Sequence, residues 1–328
     1  MKVSSGAAAI LAALLVIEMP AVAAPLAVRV VRITHFDTSQ PERVHFGALT
    51  FRGGLVLTSN APNFGGFSGL RLNVHGTRFW AQSDRGYLLR GRISYDKAGR
   101  PDGIEDADLS PLRDAHGPLG KSAAFDTEGL DVHGSHAWVT AEQVQQLFRF
   151  PIAADGSFGI GHRRAMPASV RKLPGNAGLE AVVEVPPGAP AAGSVLVIAE
   201  STRHGLHPAW LVPPKGKAQA LSLAASDDYS VTDVDFLPSG DLVLLERRYT
   251  PPFSLSMRIR RLDGADLKAG AVLDGPVLME ASLDQEIDNM EGLAVSRDPQ
   301  GKTVLSLMSD DNFKFFERTL LLQFTLEG

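Results

Sequence analysis

The sequence predicts an all-β chain built from five repeated units, and three observations predict it. Short apolar runs with period-two alternation, separated by turns, occupy the chain from Val28 onward. No stretch of that region carries an apolar stripe at helical spacing with caps at both ends, and the 32 glycines and 21 prolines fall mostly between the runs. A hairpin pattern recurs five times, its key residues 52 to 60 positions apart. Units of that size, each holding three or four antiparallel strands, are the sequence form of a β-propeller, whose blades pack radially with short, protected edges.

In chain order, Val28 to Ile33 alternates cleanly, and Ala48 to Ser59 reads as two short strands broken at Arg52-Gly53-Gly54. Strands are then expected over Ser68 to Val74, Arg78 to Gln82 and Tyr87 to Tyr95, with turns at His75-Gly76-Thr77 and Asp84-Arg85-Gly86. The five hairpins begin at Phe67-Ser68-Gly69-Leu70, Thr127-Glu128-Gly129-Leu130, Leu179-Glu180-Ala181-Val182, Val231-Thr232-Asp233-Val234 and Met290-Glu291-Gly292-Leu293. Each is followed by a β-rich run ending in an acid: Asp84, Glu142, Glu200, Glu246 and Asp310. Third strands are legible at Tyr87 to Tyr95, Gln146 to Ile152, Trp210 to Val212, Arg258 to Leu262 and Thr319 to Leu326. The last copy ends about three strands in, so Val28 to Ile33 is expected to supply its outer strand and close the ring by joining the two chain ends. Five blades are expected, or six if Phe46 to Asn60 forms an abbreviated one.

Composition narrows the function. A net charge of −5 and scattered basic residues give no footprint for nucleic acid. The absence of cysteine excludes disulfides, thiolate metal sites and a cysteine nucleophile. Lys2, the apolar run Ala7 to Val16 and Ala21-Val22-Ala23 have the form of an export signal over residues 1–23. That run is too short to span a bilayer, so a periplasmic or secreted chain starting near Ala24, free of the membrane, is expected.

The chemistry follows from the propeller geometry. The innermost strand of each blade starts on the face where the second strand ends, which would gather Glu128, Glu180, Glu291, Asp84, Glu142, Glu200, Glu246 and Asp310 around one channel mouth. Converging carboxylates repel unless a cation or basic side chains lie among them. Hard oxygen ligands without Cys or an H-x-x-x-H pair point to Ca²⁺. Arg85, Arg247, Arg248 and Arg318 lie near the same loops, and guanidinium suits bidentate recognition of phosphate or carboxylate. Ser68 and Thr232 stand where the other copies have Glu. Bland readings compete: each Glu could cap backbone N–H groups, with Gly easing entry into the strand. Ser309-Asp310-Asp311-Asn312 could be an Asx turn, Arg247-Arg248 could pair with local acids, and His204 and His207 read as loop residues. Gly66-Phe67-Ser68-Gly69 lacks the G-x-S-x-G spacing and strand-to-helix context of a nucleophile elbow.

The set formed by Phe64 to Leu70, Asp84-Arg85-Gly86, Asp126 to Leu130, Gly178 to Ala181, Leu245 to Arg248, Asp288 to Gly292, Ser309 to Phe313 and Arg318 to Phe324 resembles the bacterial phytase-like family, described as having esterase-like activity of phytase. The resemblance covers nearly the whole region 24–328 and implies one secreted β-propeller domain that hydrolyses phosphate esters. The expectation is a calcium-dependent hydrolase of phosphate or related esters. Water activated by the metal would attack the ester, a Glu such as Glu128 or Glu291 would be the base, and Arg85, Arg247 or Arg318 would stabilise developing charge. Its partner would be a small molecule, phosphorylated in this reading, and the protein a monomer. The alternatives are a non-catalytic ligand-binding propeller and a lactonase-like or carboxylic-ester hydrolase on the same calcium platform.

Overall fold

The computed structural model describes residues 26–122, 125–251 and 254–327; the expected export segment, residues 1–23, lies outside them. Five antiparallel sheets form a five-bladed propeller. The first blade is Phe67–Leu72, Arg78–Ser83, Tyr87–Tyr95 and Pro101–Pro111, and the second is Thr127–His133, His136–Ala141, Gln146–Pro151 and Ile160–Arg164. The third is Leu179–Glu184, Val195–Ala199, Leu206–Val212 and Gln219–Ala224; the fourth is Ser230–Phe236, Leu242–Thr250, Ser254–Leu262 and Val277–Ser282. Two short strands, Arg113–Asp114 and Val272–Leu273, pair in parallel onto the outer edges of the second and third blades. The described helical structure is limited to three short 3₁₀ turns, at Leu119–Lys121, Val170–Lys172 and Gly264–Asp266, and none of it is long or apolar enough to cross a membrane.

The fifth blade closes the ring. It runs Asn289–Arg297, Thr303–Asp310, Thr319–Leu326, Leu49–Thr58 and Arg29–Ile33. Both chain ends therefore share one sheet, but Arg29–Ile33 is not the direct neighbour of the C-terminal strand. Leu49–Thr58 lies between them, pairing with Thr319–Leu326 on one side and Arg29–Ile33 on the other. The split expected at Arg52-Gly53-Gly54 is instead a register shift opposite Gln323 and Phe324, with Gly53 at φ +147. A bulge bends a strand without ending it. With residues 49–58 used here, no sixth blade remains.

Apolar side chains fill both faces of the blades. Phe36, Phe46, Phe51 and Phe324 form an aromatic cluster that anchors the N-terminal segment against the last blade. Leu55, Phe67, Leu70, Phe79 and Met308 bury the seam between the last blade and the first. The inner strands approach closely around the axis, which explains the glycine after the key residue. A methyl group on Gly129 would run into the carbonyl oxygen of Glu180, and one on Gly292 would lie 2.8 Å from Leu70 Cβ. Close packing, not a tight entry into the strand, is what these positions require.

The axis is occupied by Arg71, on the first inner strand and 3% exposed. Its Nε lies 3.2 Å from Asp131 Oδ1 and its Nη1 2.9 Å from Asp233 Oδ2. It also donates to the carbonyls of Leu70, Val182, Val234 and Leu293. One guanidinium thus touches the inner strands of all five blades. The same carboxylates stitch neighbouring strands: Asp131 accepts from Glu184 N at 2.9 Å and Asp233 from Leu293 N at 2.8 Å.

Candidate active site at the channel mouth

Every inner hairpin has a register shift at the same place: Phe67/Gly69, Thr127/Leu130, Leu179/Val182, Val231/Asp233 and Met290/Gly292. Ser68, Glu128, Glu180, Thr232 and Glu291 fall inside these bulges. A bulge leaves its extra residue unpaired and re-aims its side chain, so five bulges at one end of the channel give five residues freed from the pleat. The second strands return beside them. Phe67, Thr127, Leu179 and Met290 pair with Ser83, Ala141, Ala199 and Ser309, and the next residues along the chain are Asp84, Glu142, Glu200 and Asp310.

The fourth blade departs from the expected alignment by one residue. Val231 pairs with Glu246, so the counterpart of Asp84, Glu142, Glu200 and Asp310 is Arg247. Successive strand side chains point to opposite faces, and Glu246 points away from the mouth. It is fully buried, with Oε2 2.6 Å from Arg258 Nε and Oε1 2.9 Å from Arg260 Nη2. Its expected place among the mouth acids is therefore corrected. Arg247 takes that place, with Nη1 2.8 Å from Glu291 Oε1 and Nη2 3.7 Å from Glu200 Oε1.

Two groups of carboxylates converge closely enough to share a cation: Asp126, Glu128 and Glu142, and Glu142, Glu180 and Glu200, with ligand atoms in each group within 4.8 Å of one another. Glu142 belongs to both. Burial raises the pKa values of Glu128, Glu142, Glu180 and Glu200. Glu128 is pushed well above the usual range by burial and by Glu180, and Glu180 by burial and Glu200. Burial lifts Glu142 to about 7 against the opposing hydrogen bond from Gly178 N, and Asp84 to about 6. Asp310 is likewise raised, by burial first and Glu291 second. Glu200 is raised by burial despite the opposing charge of Arg247.

The remaining expected residues take other positions. Arg85 stacks its guanidinium 3.3 Å from the centroid of Phe313. Arg318 is held by Glu286 at 2.6 Å and Asp288 at 3.5 Å, so its charge is already compensated. Asp310 does form the Asx turn, accepting from Asn312 N at 2.6 Å, while Asp311 ties the last blade to the first by accepting from Gly66 N at 2.9 Å. His207 is a buried strand residue, not a loop residue, with Nδ1 2.8 Å from Glu200 O.

Asp126 was not singled out from the sequence. It precedes Glu128 by two positions, where the first blade has Gly66, and both have left-handed backbone, at φ +76 and +64. An Asp standing in for a glycine at such a turn is the signal that could have found it. Its Oδ2 accepts from Gln143 Nε2 at 2.8 Å.

Comparison with known proteins identifies a family. The sequence model of the family described as "Phytase-like: Esterase-like activity of phytase" matches residues 62–313. No curated protein matches the chain. Similar solved structures include the Dos1 propeller, at 11% identity and TM-score 0.38, covering 87% of this chain and 67% of that one. They also include the Myxococcus xanthus glutaminyl cyclase, at 13% identity and TM-score 0.39, covering 80% and 92%. A third is the RRP9 WD40 repeat domain, at 7% identity and TM-score 0.42, covering 86% and 100%. The family match spans well over half of the sequence, and this chain belongs to the phytase-like family.

Proposed function

We propose that the channel mouth is the active site of an exported, monomeric hydrolase acting on phosphate or related esters, with calcium as its metal. The observation that carries the reading is the convergence of Glu128, Glu142, Glu180 and Glu200, all with raised pKa values, beside a single arginine. Such a cluster is electrostatically unfavourable by itself and becomes favourable around a hard divalent cation. The donor set, carboxylate oxygen without sulfur or imidazole, fits calcium.

Glu142, Glu180 and Glu200 would hold the ion, which supplies positive charge and Lewis acidity to an ester oxygen when bound. Glu128 adjoins them and, ionised by the neighbouring cation, would take a proton from the attacking water. Glu291 accepts from Asn289 Nδ2 at 2.8 Å and fixes Arg247, whose second nitrogen face is directed among the acids. Arg247 is thus placed to meet charge developing on the ester. Arg85 and Arg318 have no role in this scheme.

The test pairs binding with turnover. Melting is measured with calcium and with EGTA, and the purified protein is assayed on p-nitrophenyl phosphate, phytate and p-nitrophenyl acetate. A calcium-dependent rise in melting temperature together with phosphatase turnover supports the reading. Turnover of the acetate alone moves the reaction to carboxylic esters, and neither a calcium shift nor turnover overturns it.

A further inference from the structure

We infer that a divalent transition-metal ion of the zinc class binds at the far end of the channel, held by His133 and His136 of the second blade and Glu184 of the third. The site is separate from the mouth and stands independently of the hydrolase reading. The inner strands Thr127–His133 and Leu179–Glu184 start at the mouth and run along the channel, so His133 and Glu184 are their last residues at the opposite opening.

The hairpin sets up the pair of imidazoles. His133 and His136 are register partners across the two-residue turn Gly134-Ser135, with Gly134 at φ +60, and directly opposed residues present their side chains on one face. Trp138, two positions beyond His136, shares that face. All three rings meet Glu184: His136 Nε2 lies 2.7 Å from Oε2, His133 Nε2 3.9 Å from Oε1, and Trp138 Nε1 donates to Oε2 at 2.7 Å. The Glu184 backbone is fixed as well, its N–H donating to Asp131 Oδ2. Among the described residues no lysine or arginine pairs with this carboxylate, whose ionic partners are the two imidazoles.

Two imidazole nitrogens and one carboxylate oxygen are the donor set of three-ligand zinc sites, which leave a fourth position for water or another ligand. Imidazole separates this site from the all-carboxylate mouth and favours a transition metal over calcium. The two imidazole centroids are 6.0 Å apart, and Zn–N bonds of about 2.0–2.1 Å are reached when His133 swings inward. It has room to do so, with its side chain 40% exposed at the end of the strand, whereas His136 and Glu184 are largely buried and already paired. A cavity of about 720 Å³, lined by His133, Glu184, Arg71 and Asp131 among others, opens on the same corner and gives the ion its path and its fourth position. Bound there, the ion joins the second blade to the third.

Calorimetric titration of the full chain with zinc chloride tests the site, in excess calcium so that the mouth acids are occupied. Wild type is expected to bind zinc saturably and to melt higher with zinc than without it. His133→Ala, at a partly exposed position, is expected to melt as wild type does without zinc and to lose zinc affinity by about tenfold or more. His136→Ala is expected to lose as much. Cobalt in place of zinc is expected to give the visible bands of a four-coordinate ion, and His133→Ala to abolish them. Glu142→Gln, at the mouth, is expected to leave zinc affinity unchanged. No saturable zinc binding by wild type, or zinc affinity indifferent to His133→Ala, overturns the inference. Zinc affinity lost in Glu142→Gln but kept in His133→Ala puts the ion at the mouth and overturns it as well.

Discussion

Arg247 Nη1 lies 2.8 Å from Glu291 Oε1, joining the fourth blade to the fifth at the mouth. Arg247 is the one basic residue in the ring of positions that Asp84, Glu142, Glu200 and Asp310 otherwise occupy. Replacing it with Gln leaves Glu291 and Glu200 facing each other without a counter-charge. Arg247→Gln is expected to destabilise the EGTA-treated protein by about 2 kcal/mol, below the ~3–5 kcal/mol of a fully buried pair because Arg247 is partly exposed. Calcium is expected to recover part of that loss, as read from urea unfolding with and without the ion, while phosphatase turnover stays depressed.

The pH dependence has a definite sign. A carboxyl whose pKa is raised by folding stabilises the fold when protonated, below its unfolded pKa, and that contribution is lost as pH rises through the folded value. Glu142 moves from 4.5 to about 7 and Asp84 from 3.8 to about 6. Metal-free protein is therefore expected to lose stability between about pH 4 and pH 7, on the order of 3 kcal/mol from Glu142. Scanning calorimetry in EGTA at pH 5 and pH 8 checks this, with the lower melting temperature at pH 8 and calcium restoring it there but not at pH 5.

Glu246 and Glu142 should separate structure from site. Glu246→Gln removes the buried counter-charge shared by Arg258 and Arg260, leaving each only an exposed aspartate, Asp227 or Asp274, and is expected to cost about 3 kcal/mol without changing calcium affinity. Glu142→Gln relieves repulsion, so the metal-free protein is expected to melt no lower than wild type while calcium binding weakens at least tenfold. Chemical denaturation and calcium titration of the two variants check this.

Arg71→Met strands Asp233, which is fully buried and accepts from both guanidinium nitrogens. A loss of about 3–5 kcal/mol is expected. Arg71→Lys should recover little of it, because one ammonium has three donors and no fork with which to reach five strands. Urea midpoints of the two variants give the comparison.

The blade count was legible because the hairpin pattern recurs five times, in three copies with a glycine after the key residue (Gly69, Gly129 and Gly292), and the closing of the ring because the last copy ends short. The phase of the fourth blade was not. Leu242 to Leu245 are all buried, so this run is apolar on both faces and shows no alternation from which to tell which side Glu246 takes. Thr232, where other copies have Glu, removed the remaining guide. Arg71 was passed over for a related reason: a lone arginine in an otherwise ordinary strand reads as a solvated face until its neighbours around the axis are known.

A chain of repeats that touch only their neighbours unfolds piecemeal, its stability a sum of units and adjoining interfaces. Arg71 breaks that rule, because from the first blade it grips carbonyls on the third, fourth and fifth and the Asp131 carboxylate on the second. Losing any one blade removes an acceptor from a charge that has nowhere else to go. The ring is thereby made to melt as one body, and a version cut off before Asn289 should behave as an unfolded chain and not as four-fifths of a propeller.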